Sequence, residues 1–342
     1  MKMKILRDMK KTAPLLAIGF GLLAATLYGQ AAADYPGSVP TVEADRVLNF
    51  TWVDVDKYPV ITAMAFLTGQ TRMITGGDDC QLCVWDLTNG TLMSHFAAHE
   101  DWVRGVAVSP DGAVIASIGQ NGTVKLWNGA DLKLKSTFAD KVTGAQGIAF
   151  SPDGKRLAVC GFDNYVAIFD VGGASLAGKW KMSGTSNTTV RYSPDGKLLA
   201  AAGRDGKVRV WETDSMKVRF DLASSDRRVH DLAFSADGRL LAAGGEDSAI
   251  TVWDTENGAT AAQFKTSVGK TFSLCFCGSY LASGDSLNTI RLWSLESGKE
   301  AARCFGHTGT VAVMEFHPEK NELSSAGFDT TVRFWPLGEI AK

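Results

Sequence analysis

The chain is poor in the residues that build reactive sites. Five histidines, six cysteines and nine prolines are spread through 342 residues, and neither charge sign dominates. Lys and Arg number 35 against 37 Asp and Glu, so the basic footprint of a general nucleic-acid binder is missing. His95, His230 and His317 share no short spacing of the kind that holds a metal ion. Cys80-x-x-Cys83 has neither a second cysteine pair nor a helix after it, which argues against a zinc or redox motif. Cys275 and Cys277 stand two apart on one extended segment, too far for an easy bridge. With Cys160 and Cys304, most of these thiols read as small buried apolar groups. No phosphate-cradling glycine loop and no distinctively spaced carboxylate pair occurs, so no catalytic residue, metal or cofactor is expected.

Long apolar runs are also scarce. One uncharged, mostly apolar stretch runs from Ala13 to Tyr28, after Lys2, Lys4, Arg7, Lys10 and Lys11 and before Ala31-Ala32-Ala33. A basic start, an apolar middle and a small-residue end are the layout of an export signal over residues 1–33, with cleavage expected before Asp34. The run is short of the roughly 20 residues of a bilayer span. An uncleaved signal anchor is the alternative, and it is then the only expected link to a membrane. Either way the positive flank stays inside and the body lies across the membrane, periplasmic or secreted. Without the signal, 30 basic residues face 36 acidic ones.

What the chain has in abundance is repetition. Trp85, Trp127, Phe169, Trp211, Trp253, Trp293 and Trp335 close similar segments at steps of 42, 42, 42, 42, 40 and 42. A fixed period of that size marks a radial array. Ser109-Pro110-Asp111-Gly112 recurs at 151–154 and 193–196, and as Ser-Ala-Asp-Gly at 235–238. Proline presets φ, aspartate bonds its own backbone and glycine accepts positive φ, so each motif is a tight turn between apolar strands. A second turn falls six residues before each aromatic, at Asp79, Asn121, Asp163, Asp205, Asp247 and Asp329, with Leu287 the exception. Four strands per unit in seven units predict an all-β, seven-bladed propeller of antiparallel blades. The asparagines before these and other turns, as in Asn89-Gly90-Thr91, read as hairpin chemistry as much as glycan acceptors.

Trp85-Asp86, Trp253-Asp254, Phe169-Asp170 and Gly306-His307 resemble the WD-repeat family, and the resemblance covers about residues 46–337. It implies that Arg46–Val53 supplies the missing outer strand of the last blade, after a linker at 34–45, with the propeller over 46–338 and a tail at 339–342. It also implies a buried tetrad of His307, Ser325, Asp329 and Trp335, and a second of His99, Ser117, Asn121 and Trp127. Such a set holds loop to strand and does no acyl transfer.

The resemblance further places partner docking on a rim face, built from the loop leading into each innermost strand and from the residue before each second turn. Carried onto this chain, that face holds Trp102, Phe162, Phe272 and Phe328 among Arg104, Arg204, Arg228, Lys270 and His230. Exposed aromatics beside arginine are the composition of an interface hot spot. The expected function is a non-enzymatic, monomeric scaffold for a protein or peptide, with no nucleic-acid partner. The alternative is a propeller enzyme or small-ligand binder in the central channel, lactonase-like or quinone-dependent.

Overall fold

The computed structural model describes residues 39–49, 59–67, 71–266, 269–338 and 340. The expected export signal and its cleavage point lie outside the described residues, as do Phe50–Val53 of the expected closing strand.

Each 42-residue unit folds into four antiparallel strands. Blade 1 comprises Ile61–Phe66, Arg72–Gly77, Gln81–Asp86 and Thr91–Ala97, from the centre outward. Blades 2 to 6 repeat this order over 103–137, 147–181, 187–223, 229–265 and 271–304. Blade 7 holds Val311–His317, Glu322–Gly327 and Thr331–Pro336, and Arg46–Asn49 pairs antiparallel with Thr331–Phe334 as its outer strand. Each innermost strand touches the next, and that of blade 7 returns to that of blade 1. The ring is closed.

Burial follows radius. The outer strand Thr91–Ala97 alternates exposed and half-buried residues, the period of two expected of a sheet edge near water. Val114–Gly119, second from the centre, is buried at every position because both sheet faces press on neighbouring blades. Seven apolar clusters lie between successive blades, and all seven repeat aromatics are buried in them.

Closure is fastened by one side chain. Arg46 lies over the Phe334 ring at 4.0 Å and donates to the Leu87 carbonyl of blade 1 at 2.5 Å. Its other nitrogen pairs with Glu322 at 3.4 Å. Leu48 enters the cluster shared by blades 7 and 1. The stretch read as a linker is not free of the fold, since Val42 and Ala44 pack on the cluster between blades 6 and 7. The tail is also held there: the Tyr280 hydroxyl donates to the Ile340 carbonyl at 2.6 Å.

The tetrad of blade 7 is complete. Trp335 Nε1 donates to Ser325 Oγ at 2.8 Å, Ser325 lies 2.7 Å from His307 Nε2, and His307 Nδ1 lies 2.8 Å from Asp329. Burial alone would raise the Asp329 carboxyl, but the His307 hydrogen bond, with Thr308 N–H and Thr331, holds it down at about 2. Blade 2 departs from expectation. His99, Ser117 and Trp127 connect at 2.7 and 2.9 Å, but Asn121 accepts Thr123 N–H instead, and buried His99 Nδ1 has no partner. An amide held in the turn does not reach the ring as the Asp329 carboxylate does. Burial, assisted by Lys125, presses His99 down to about 4.

Blade 6 solves its missing turn aspartate two residues upstream. Asp285 accepts the N–H groups of Leu287 and Thr289 at 2.8 and 3.0 Å, while Asn288 takes φ 66°. Leu287 is left exposed. Arg291 pairs with Glu300 at 2.9 Å, and Glu300 with Arg303, so the shortened blade carries its own ion network.

Candidate functional site

Strand direction sorts the loops into two ends. The Ser-Pro-Asp-Gly turns lie at one end of the blades, here the turn face. The loops leading into the innermost strands lie at the other with the second turns, here the mouth face. Every aromatic and basic residue predicted to dock a partner falls on the mouth face.

Local geometry explains why. In six blades the pairing of the first two strands slips by one residue at the start of the innermost strand, between Ile61 and Ala63, Val103 and Gly105, Asn187 and Thr189, Val229 and Asp231, Thr271 and Ser273, and Val311 and Val313. A β-bulge leaves one residue unpaired and re-aims its side chain. Here those residues are Thr62, Arg104, Thr188, His230, Phe272 and Ala312, and all of them line a central cavity of about 390 Å³. Gln146 occupies the matching place in blade 3. The repeat therefore aims a ring of seven side chains inward while leaving their identities free.

The structure brings Arg104, Arg228, His230, Phe272 and Phe328 together around that cavity. Arg104 donates to Gln146 at 3.0 Å, and its guanidinium lies 5.9 Å from the Trp102 ring centre. His230 stacks on Phe272 across two blades, with centroids 4.4 Å apart and planes 16° apart. Burial first, then the charges of Arg228 and Lys270, press His230 down to about 4 against the pull of Glu246. The ring is therefore neutral at pH 7. Lys270 holds Glu246 at 3.2 Å. Trp102, Phe162, Arg204 and Lys270 do not line the cavity; Trp102, Phe162 and Arg204 stand exposed around it.

The residue before the second turn explains two of the exposed rings. Asp78 and Ser286 use that place to accept the N–H of Val60 and of Lys270 in the adjoining loop. Phe162 and Phe328 cannot, and they remain 54% and 47% exposed. Phe162 leans over Gly144, where an added Cβ would meet the ring at 2.4 Å. Phe272, by contrast, is half-buried on His230 and so is less available to a partner than expected.

Deeper in the channel lie residues that the sequence reading missed. Asp231 accepts Leu274 N–H at 2.9 Å, Arg191 at 2.9 Å and Thr189 at 3.2 Å, tying blades 4, 5 and 6. Arg191 and Glu315 occupy a place that is alanine in four blades and cysteine in the other. Burial pushes Glu315 up to about 7, against Phe66 N–H and the Arg191 charge. A charged residue at a repeat position otherwise small was the available signal. No group of three or more His, Cys, Asp or Glu able to hold a metal occurs among the described residues. All six cysteines are free thiols, Cys80 and Cys275 half-buried and the rest buried.

Comparison with known proteins fits this architecture. The model of the WD domain, G-beta repeat, matches residues 55–86, 90–128, 133–170 and 298–336, and that of the anaphase-promoting complex subunit 4 WD40 domain matches 191–277. The chain belongs to the WD40-repeat family. The chain is 42% identical over 69 residues to protein transport protein SEC13 of Phaeosphaeria nodorum, covering 18% of this chain and 23% of that protein. It is 43% identical over 56 residues to small ribosomal subunit protein RACK1y of Oryza sativa subsp. japonica, 16% and 17% of the two chains. Human WD repeat and SOCS box-containing protein 1 is 34% identical over 76 residues, 22% and 18%. The matches thus span less than a quarter of each of these relatives. WD40 propellers of this kind are typically protein-interaction scaffolds and mostly lack catalysis.

Proposed function

We propose that this WD40 protein is a non-enzymatic scaffold, exported to the periplasm or the exterior, that docks a protein or peptide partner on its mouth face. The observation that carries the reading is the grouping of exposed Trp102, Phe162 and Phe328 beside Arg104 and Arg228. Large rings next to guanidinium groups supply contact area and directional bonds at little entropic cost. The channel carboxylate Asp231 is already committed to three donors, which favours docking over chemistry at the axis.

The test is affinity capture with the double variant Trp102→Ala, Arg228→Ala. Partner recovery is expected to fall while the melting temperature stays nearly unchanged, because neither side chain lies in an inter-blade cluster. Equal recovery by the variant counts against this face. Export rests on the first 33 residues, and N-terminal sequencing of the released protein is expected to begin near Asp34. Soluble protein that retains Met1 would remove that part of the proposal.

A further inference from the structure

The charges around the mouth do not cancel locally. Three carboxylates there are engaged: Asp101 accepts Trp102 N–H at 2.8 Å, Asp78 accepts Val60 N–H at 2.8 Å, and Glu246 holds Lys270 at 3.2 Å. Asp231 below them is bound by Arg191. Two guanidinium groups are left over. Arg104 has only the neutral Gln146 oxygen, and Arg228 Nε is buried with no acceptor. Neither forms an ion pair among the described residues. Burial presses Arg104 below its ordinary value against the opposing charge of Asp101. An arginine does not shed its proton under such pressure, so the stress persists as an unmet demand for an anion.

We infer that Arg104 and Arg228 receive the side-chain carboxylate of an Asp or Glu in an extended partner segment, whose apolar neighbours rest on Trp102, Phe162 and Phe328. The geometry selects this occupant on three counts. Planar guanidinium groups match a carboxylate fork, giving short charge-assisted bonds. The cavity of about 390 Å³ suits one or two side chains rather than a folded element. The stacked His230–Phe272 pair closes one side with an uncharged wall, and the nearby carboxylates are already taken, Asp231 by Arg191 and Glu246 by Lys270. A basic segment is disfavoured, because it would bring a like charge against two arginines that form no direct ion pair. The inference rests on the docking reading of the same face and adds the chemistry of the docked residue.

The experiment selects random-sequence peptides displayed on phage against the full-length protein, then measures synthetic copies of the leading sequences by fluorescence anisotropy. The expected result is an Asp or Glu between apolar residues. Replacing that acid by its amide, or using Arg228→Gln protein, should weaken binding about tenfold or more, the usual worth of a hydrogen bond to a charged group. The amide peptide and the Arg228→Gln protein together should cost little more than either alone, because both remove one contact. Arg104→Gln, with thermal melting as a control on folding, provides the same comparison at a second residue.

Neutral or basic peptides that bind Arg228→Gln protein as well as wild type overturn the inference. If those peptides still weaken on Trp102→Ala, the docking face survives without the acidic requirement. If they ignore Trp102→Ala too, both proposals fail. A phosphoserine copy that binds much tighter than the Glu peptide overturns the carboxylate assignment, and failure to enrich any peptide counts against the pocket.

Discussion

The two ends of the propeller obey opposite rules. On the turn face, Ser109, Ser151, Ser193 and Ser235 each lie 2.5 to 2.7 Å from the aspartate two residues on, and each hydroxyl receives the N–H that opens the next strand. The same solution is used four times. On the mouth face, the inward-aimed position, bulged in six of the seven blades, is Thr, Arg, Gln, Thr, His, Phe and Ala in succession. One end repeats because it must start strands, whereas the other varies because nothing in the blade dictates what a re-aimed side chain should be. Variation inside a strict repeat is thus a guide to function that needs no second sequence.

That contrast breaks if residues shared by the framework can be altered without cost. The largest effect is expected at His307→Ala, which leaves Ser325 and Asp329 without the imidazole they share in a buried setting. A loss of about 3 kcal/mol is expected by chemical denaturation, with partner capture unchanged in the protein that remains folded. The same relay has a pH signature. Asp329 is held at about 2 in the folded protein against an ordinary 3.8, so its stabilisation is present above roughly pH 4 and is lost as pH falls toward 2. Allowing for solvent screening, the change is about 1–2 kcal/mol, and His307→Ala should flatten it. An equally steep acid limb in the variant would show that other carboxylates set it.

The smallest effect sharpens the comparison. Asn121→Asp should supply the acceptor that His99 Nδ1 lacks and stabilise blade 2 by about 1 kcal/mol. A variant that melts at the same temperature would mean that the turn, not the amide, keeps this position from the ring. Mouth-face substitutions should produce the reverse pattern, with capture lost and melting retained.

Much of the framework is legible in the primary structure. The seven aromatics, the Ser-Pro-Asp-Gly turns and the strand alternation are local, so a 42-residue period announces them directly. The closing strand was legible through the absent outer strand of blade 7. What could not be read depends on side chains meeting between blades. The sequence places Asp231, Arg191 and Leu274 about 40 residues apart, and only wedge packing makes one carboxylate serve three blades. The Asp285 substitution was hidden because the acceptor moved two residues back, to a place that is glycine in the other blades. The His230–Phe272 stack similarly needed the bulges of two blades to be seen together.

Pairing Arg46–Asn49 with the last blade also orders events in time. During synthesis this short strand leaves the ribosome well before its partner at Thr331–Phe334. All seven units must be in hand before the two can meet, a separation of the kind that slows folding. Until that moment blade 7 has no outer strand, and a segment borrowed from another nascent copy would fit the vacant edge equally well.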